Sequence, residues 1–198
     1  GEAAGGAALT EGHPGMNRAQ DDWDLLAMAP HDRAALEQLF QRHRHYAFRV
    51  AWSLLGEDAA AEDVVQEVFL RLQSGRLRAS RRARFTTWFY QVTLNTAREQ
   101  ARKRRRLWGA APAEEALRDT PDGAADPGRL DRLRDLSRAL ATLPIRQREV
   151  VVLRFLEGFD TAETAEILGC RQGTVKAHLH RATLSLRDRL TAHPPQGD

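Results

Sequence analysis

Apolar residues recur every three or four positions along most of the chain, which predicts an all-α fold. The first clear stripe begins after Asp32, a predicted N-cap, and ends at Gly56. Its apolar positions are Leu36, Leu39, Phe40, Ala47, Val50, Ala51 and Leu54. His43 interrupts the stripe. We interpret His43 and His45 as ordinary helix residues rather than metal ligands, because no matching Cys/His/Asp cluster lies nearby.

A second helix is predicted from Gly56 to Gly75, with one apolar and one acidic face. The apolar positions are Ala61, Val64, Val65, Val68, Phe69 and Leu72. Between Gly56 and Leu70 the chain has five carboxylates and no Lys or Arg. Acidic residues near a helix start also suit the helix dipole. The pattern alone therefore fits both a solvated face and a partner-binding face.

A strongly basic tract follows. Residues 74–85 predict a basic loop, and residues 85–106 predict a third long helix that ends in a run of arginines. Between Arg71 and Arg106 there are twelve basic residues and one acid, Glu99. Such a tract attracts polyanions and makes their binding depend on salt. We expect Trp88 to lie in the core and Tyr90 to be exposed, where an aromatic ring can stack on an unpaired base.

Prolines and glycines mark residues 107–128 as a flexible, acidic linker. Helical spacing resumes at Leu130. A helix after Pro144 is predicted to bury most of its apolar residues: Val150, Val151, Leu153, Phe155 and Leu156. The chain thus divides into two small helical domains, residues 23–106 and 129–191. They are preceded by a segment predicted to be disordered, 1–22, and followed by a tail, 192–198.

Residues 159–190 carry the pattern of a helix-turn-helix. Asp160 and Glu163 have the spacing of a capping box, and Gly169 supplies the left-handed position that ends a helix. A longer helix follows from Gln172, with core positions Val175, Leu179, Ala182 and Leu186. No carboxylate occurs from 169 to 185. This favours a DNA-reading helix over a helical hairpin with a solvated basic face.

Composition narrows the function classes. The formal net charge is +3, and Cys170 is the only cysteine, which excludes a disulfide framework and a Cys-based zinc site. No apolar run approaches the ~20 residues that span a bilayer, and no signal peptide is recognisable. We find no Gly-rich phosphate loop and no nucleophile–base arrangement. The sequence predicts a cytoplasmic protein that is not an enzyme. It is expected to need no cofactor and not to insert into a membrane.

Three strings resemble the extracytoplasmic-function group of bacterial RNA polymerase sigma factors: AEDVVQEVFLRL, FTTWFYQVTLNTAREQARKRRR and LPIRQREVVVLRFLEGFDTAETAEILGCRQGTVKAHLHRA. The resemblance covers nearly the whole chain except the N-terminal segment and the tail. The first two strings are its specific part, because helix-turn-helix motifs alone are common.

The resemblance implies that the first domain binds core RNA polymerase and the minus-ten promoter element. Core polymerase would contact Asp63, Gln66 and Glu67. A loop matching residues 75–84 would capture a base flipped out of the minus-ten element, at a cost of a few kcal/mol that the loop must recover. The implied minus-ten residues are Arg76, Arg78, Arg81, Arg82, Arg84, Tyr90, Asn95, Arg98, Arg102 and Arg105.

The second domain would read the minus-thirty-five element of promoter DNA. The matching DNA-facing positions are Arg171, Thr174, Lys176, Ala177, His180 and Arg181. Family members often carry Ser or Arg where this chain has Ala177 and His178, so the promoter sequence stays open. The resemblance also implies an anti-sigma factor as a partner.

Two other classes of binding protein compete with this interpretation. The TVKAH string, residues 174–178, also resembles the output domain of response regulators, but the first domain lacks the alternating strands and helices of a receiver. A sigma-like decoy that titrates an anti-sigma factor is the other alternative. The basic tract from Arg98 to Arg106 argues against a decoy, which needs no DNA contacts.

Overall fold

The computed structural model describes residues 21–77, 79, 81–108 and 138–192. Seven α-helices occupy these ranges: α1 Asp22–Met28, α2 Arg33–Leu55, α3 Asp58–Gln73, α4 Phe85–Trp108, α5 Ile145–Val151, α6 Thr161–Leu168 and α7 Gln172–Ala192. Residues 138–141 are also helical, and Val152–Leu156 form a π-helical turn. No strand occurs within these ranges, so the predicted all-α fold is confirmed. The predictions for residues 1–20, 109–137 and 193–198 lie outside the described residues.

The predicted helix ends are found where local chemistry places them. The Asp32 side chain accepts a hydrogen bond of 2.8 Å from the Ala34 amide and caps α2. Gly56 ends α2 with φ 71°, a left-handed conformation that favours glycine. Gly75 follows α3 with φ 65°, and a Cβ there would lie 3.1 Å from the Pro30 ring. A larger residue at position 75 would therefore be strained and would crowd Pro30.

Helix α1 was not predicted from the sequence. It begins at Asp22 and buries Trp23 and Leu25 against the rest of the N-terminal domain. The Trp23 ring meets the rings of Phe85 and Trp88 at centroid distances of 5.3 and 5.4 Å. Its seven residues are too few to show a periodic stripe, and its one local signal is the Asp21 side chain, which accepts a hydrogen bond from the Trp23 amide and caps the helix.

Asp22 attaches α1 to α2. Its carboxylate accepts hydrogen bonds from Arg42 at 2.6 Å and contacts His43 Nε2 at 2.9 Å. Burial raises the pKa of Asp22, but the hydrogen bonds from His43 and Arg42 outweigh it, and the net pKa lies below the ordinary value of 3.8. Asp22 therefore stabilises the fold most when ionised.

We expect Asp22→Asn to lower the free energy of unfolding by about 1–2 kcal/mol near neutral pH, because a charged acceptor is lost. The wild-type contribution is fully present above pH 3.8 and is lost as the pH falls through the lowered native pKa. The free energy of unfolding of the variant should not show this part of the pH dependence. Urea unfolding at several pH values measures both effects. Glu62→Gln, at an exposed position of α3, is the control, and an equal effect there would contradict the assignment.

The N-terminal domain, α1 to α4, packs an aromatic core between α2 and α4. Phe89 is 1% exposed and stacks on Phe85 with centroids 5.8 Å apart. Trp88 is buried, as predicted. The prediction that Tyr90 is exposed was wrong, because only 3% of this residue is accessible. Its ring packs edge-on against Phe159 of the other domain at 4.8 Å, a contact that no local pattern reveals.

The C-terminal domain, residues 138–192, is built around α5 to α7. Val150, Ala165 and Val175 form a small cluster at its centre. The prediction that Phe155 and Leu156 are buried was wrong, since they are 67% and 41% exposed. The helix changes from α to π geometry at Val152, and this changes which side chains point inward.

The two domains pack against each other. Buried residues from both, for example Val50 and Phe89 in one and Leu140 and Leu153 in the other, belong to one continuous apolar cluster. None of the described helices has the length and apolar character that a membrane span requires.

Candidate polymerase and nucleic-acid interfaces

The outer face of α3 combines acidic residues with one exposed apolar side chain. Asp63 and Gln66 are exposed, and Glu67 is half-buried. Leu70 lies on the same face, one helical turn from Gln66 and Glu67 and two turns from Asp63, and it is 59% exposed. The face therefore offers an apolar contact surrounded by acceptors, which suits a basic protein surface.

Arg71 fixes the C-terminal edge of this face. It donates to Glu67 at 2.7 Å and to Glu99 of α4 at 2.6 Å. The hydrogen bonds to Glu99 and Glu67 raise the pKa of Arg71. An open groove of about 420 Å³ adjoins it, lined by Glu67, Leu70, Arg71, Ser74, Arg76 and Leu77. Glu67 is thus held in one orientation, whereas Asp63 projects into solvent.

The basic loop between α3 and α4 is tied to both domains. Arg76, Arg81, Arg82 and Arg84 are exposed. Arg81 pairs with Asp24 of α1, and Arg84 pairs with Glu163 of α6 at 3.3 Å. Arg78 lies outside the described residues. The loop keeps its positive charge at the surface, where a phosphate backbone can reach it.

The predicted minus-ten residues of α4 divide into covered and exposed ones. Tyr90 and Arg98 contact buried carboxylates of the C-terminal domain: Tyr90 donates to Glu157 at 2.6 Å, and Arg98 forms a two-point ion pair with Glu149. Asn95 is exposed and accepts a hydrogen bond from Arg98 at 2.8 Å. Arg102 and Arg105, which are predicted minus-ten residues further along α4, are also exposed.

Helices α6 and α7 form the predicted helix-turn-helix. The capping box is complete: the Glu163 amide donates to Asp160 at 2.8 Å, and the Asp160 amide donates to Glu163 at 2.9 Å. Gly169 ends α6 with φ 62°, and the Cys170 amide closes the turn on the Ala165 carbonyl at 2.9 Å. These local bonds set the angle at which α7 leaves the turn.

Helix α7 turns its apolar residues inward and its donors outward. Val175 and Ala182 are fully buried, which directs the opposite side of the helix to solvent. The predicted reading residues are exposed except for the half-buried Ala177: Arg171, Thr174, Lys176, His180 and Arg181. An exposed helix of this length with donors in its first turns has the dimensions that a major groove accepts.

Sequence reasoning missed three residues that the structure makes prominent. Leu70 lies off the apolar stripe of α3, and that offset was a signal of exposure. Glu149 and Glu157 each border a short apolar run, 150–153 and 155–156, and both are buried, with 0% and 6% accessibility. A buried acid needs a cation or a hydrogen-bond donor as its partner, although the sequence does not say which residue supplies it.

Comparison with known families gives two separate matches along the chain. Residues 39–107 match the family model "Sigma-70 region 2", and residues 133–186 match the model "Sigma-70, region 4". The first match spans most of α2, α3, the basic loop and nearly all of α4. The second contains α5, α6 and most of α7.

Individual relatives extend this match over most of the chain. The ECF RNA polymerase sigma factor SigM of Mycobacterium tuberculosis is 30% identical over 175 residues, which cover 88% of this chain and 87% of SigM. SigE of Mycolicibacterium smegmatis is 31% identical over 173 residues, 82% of this chain but only 65% of SigE.

A solved structure shares the fold. The sigma factor RpoE of Bartonella quintana, crystallised with the anti-sigma factor NepR, is 26% identical with a TM-score of 0.62. That match covers 79% of this chain and 97% of RpoE. The two family models and the extent of the SigM match show that this chain belongs to the extracytoplasmic-function sigma factors of RNA polymerase.

Proposed function

We propose that this sigma factor binds core RNA polymerase through α3 and directs it to promoters that its two domains read separately. The observation that carries the proposal is the presence of three distinct surfaces on one chain: the acidic face of α3, the basic loop with α4, and the donor face of α7. Sigma factors are initiation factors without catalytic activity of their own, and the proposed role needs no cofactor.

The α3 face, with Asp63, Gln66, Glu67 and Leu70, is the proposed contact with core polymerase. Its carboxylates complement a basic partner, and complementary charge speeds encounter and fixes the orientation of the partners. Leu70 is more than half exposed in the free chain, so a partner that covers it gains apolar burial. The ion pairs of Arg71 hold the edge of the face in place before binding.

Leu70→Ala should weaken core binding about tenfold, equivalent to about 1.4 kcal/mol, because part of a buried leucine contact is lost. Stability should change little, since Leu70 is exposed in the free chain. Fluorescence anisotropy of a labelled chain titrated with core polymerase measures the affinity. Leu107→Ala removes an equally exposed leucine from the end of α4 and should bind like the wild type. If the Leu70→Ala chain bound core polymerase as tightly as the Leu107→Ala chain, Leu70 would not belong to the interface.

For the minus-ten element we propose the loop residues Arg76, Arg78, Arg81, Arg82 and Arg84 together with Tyr90, Asn95, Arg98, Arg102 and Arg105 of α4. Arginines would hold the phosphates of the separated strand, and an aromatic ring would stack on an unpaired base. For the minus-thirty-five element we propose the outward face of α7, with Arg171, Thr174, Lys176, Ala177, His180 and Arg181.

We further propose that this sigma factor acts in the cytoplasm and that an anti-sigma factor regulates it. The regulation by an anti-sigma factor is supported by the similarity to Bartonella quintana RpoE, which was crystallised with the anti-sigma factor NepR.

The test is transcription by core polymerase, with and without the purified chain, on fragmented genomic DNA of the source organism. Mapped transcript starts should share two upstream motifs only when the chain is present. Binding to duplex DNA without binding to core would favour an activator that acts beside the polymerase. Binding to an anti-sigma factor alone, without core or DNA binding, would favour a decoy.

A further inference from the structure

The two domains meet at an interface built on buried carboxylates. The inter-domain interface includes Arg49, Tyr90, Gln91 and Arg98 on one side and Glu149, Glu157, Phe159 and Glu166 on the other. At its centre the side chain of Glu157 is 1% exposed. Arg49 donates to it twice, at 3.1 and 2.8 Å, and Tyr90 donates once, at 2.6 Å. All three of these hydrogen bonds come from the other domain.

The second buried carboxylate is Glu149 of α5, which contacts α4 further along, at Arg98. Glu149 has no exposed side-chain surface, and Arg98 donates hydrogen bonds to both of its carboxylate oxygens, one of them at 2.8 Å. Only 15% of the Arg98 side chain is exposed. Arg146, from the same helix as Glu149, adds a longer contact at 3.3 Å.

Hydrogen bonds to backbone carbonyls add to the inter-domain interface. Gln91 donates to the Glu166 carbonyl at 2.8 Å. Arg148 of α5 donates to the Leu54 carbonyl at the end of α2, and burial lowers the pKa of Arg148. Polar bonds of this kind are directional, so they fix one relative placement of the two domains.

The carboxylates and their partners are divided unequally between the domains. A buried carboxylate costs several kcal/mol unless cations and hydrogen bonds compensate it. Glu149 and Glu157 belong to the C-terminal domain, whereas their main cations, Arg98 and Arg49, belong to the N-terminal domain. Removing either partner is therefore expected to loosen the contact, because a buried charge is left without compensation.

The partners of these carboxylates include two proposed minus-ten residues. Tyr90 is 3% exposed, and its hydroxyl is occupied by Glu157. Arg98 presents its guanidinium to Glu149 in the two-point geometry that it would also use for a phosphate. While this contact persists, neither side chain can reach DNA. The other proposed surfaces stay open, since Asp63, Leu70, Lys176 and Arg181 remain exposed.

We propose that the C-terminal domain masks part of the minus-ten surface of its own chain, at Tyr90 and Arg98, with Glu149 and Glu157 taking the places of DNA phosphates. The masked chain still offers α3 to core polymerase, and access to Tyr90 and Arg98 requires the domains to separate. The assignment of the masked residues to the minus-ten element rests on the proposed function; the masking of a nucleic-acid surface does not.

A cross-link measures the closed form directly. In a Cys170→Ser background, Gln91→Cys with Glu166→Cys places two thiols across the inter-domain interface for a short bis-maleimide. Gln66→Cys with Glu166→Cys puts one thiol on the outer face of α3 instead and serves as the control pair. We expect the first pair to cross-link within the monomer at least threefold faster than the second.

Charge removal should then open the chain. Glu149→Gln with Glu157→Gln should lower the cross-linking rate at least threefold. The same pair of changes should raise the affinity of the full chain for a fluorescein-labelled, mixed-sequence single-stranded DNA at least threefold. Glu37→Gln with Glu62→Gln removes the same two charges from exposed positions of α2 and α3 and controls for net charge. Arg49→Gln breaks the contact from the other side and carries the test if the double variant does not fold.

Each outcome decides between the alternatives. Unchanged cross-linking in both the Glu149→Gln, Glu157→Gln chain and the Arg49→Gln chain would overturn the proposed interface. Slower cross-linking without tighter DNA binding would overturn masking. If cross-linking and DNA binding change as expected but core polymerase gives no promoter-specific starts with the wild-type chain, masking is supported and the proposed function fails.

Discussion

Reversing the charges of Asp63 and Glu67 is expected to weaken the complex with core polymerase on the order of a hundredfold, or about 2.7 kcal/mol. The Asp63→Arg, Glu67→Arg chain would place two cations where the proposed interface has two acceptors, and like charges across an interface cost several kcal/mol. It would also separate Arg71 from its partner Glu67. Promoter-specific transcription should fall with core binding, as anisotropy and transcript yield would measure.

The matched control is Glu37→Arg, which makes the same charge change at an exposed position of α2. Its affinity for core should stay close to that of the wild type. Circular dichroism melting shows whether the double variant folds, and Asp63→Arg alone keeps the Glu67–Arg71 pair intact. Unchanged core affinity in a folded double variant would refute the assignment of α3 to the polymerase contact.

Alanine at both Lys176 and Arg181 is expected to abolish recognition of the minus-thirty-five element without weakening the core complex. An arginine contact to a base edge contributes about 1–3 kcal/mol of discrimination, and loss of a phosphate contact lowers the salt slope by about 1. Transcription from promoters mapped with the wild-type chain should then fall at least about tenfold. Competition between intact and minus-thirty-five-scrambled promoters measures the lost discrimination.

Arg138→Ala removes a positive charge from the same domain outside α7 and should retain discrimination. Both Lys176 and Arg181 are exposed, so the double variant should melt like the wild type. Loss of core binding together with DNA binding would indicate unfolding. A folded variant that still prefers the intact promoter would place the reading residues elsewhere on α7.

Most of the secondary structure could be predicted because its signals are local. Asp32 and Gly56 delimit α2 by side-chain capping and by a left-handed φ, and both effects act within one helical turn. The capping box of Asp160 and Glu163 and the turn at Gly169 identify α6 and its junction with α7 in the same way. Helix α1, seven residues long, offers no such period.

Helical spacing also predicted which side of α3 and of α7 is exposed, as Asp63 and Lys176 illustrate. Tyr90 could not be predicted, because its burial depends on Glu157, 67 positions further along the chain. Phe155 was misplaced because the spacing of an α-helix does not apply within a π-helical turn. The errors therefore concern contacts between distant segments and a local change in helix geometry.

The shared apolar cluster has a consequence for hybrid proteins. Leu140 and Leu153 of one domain lie in the same cluster as Val50 and Phe89 of the other. A chimera that takes residues 138–192 from another family member would receive a foreign recognition helix and, with it, a foreign half of this cluster. Its promoter preference and the cooperativity of its unfolding should therefore change together. Grafting only the outward residues of α7 should change the promoter preference and leave the cooperativity of unfolding intact.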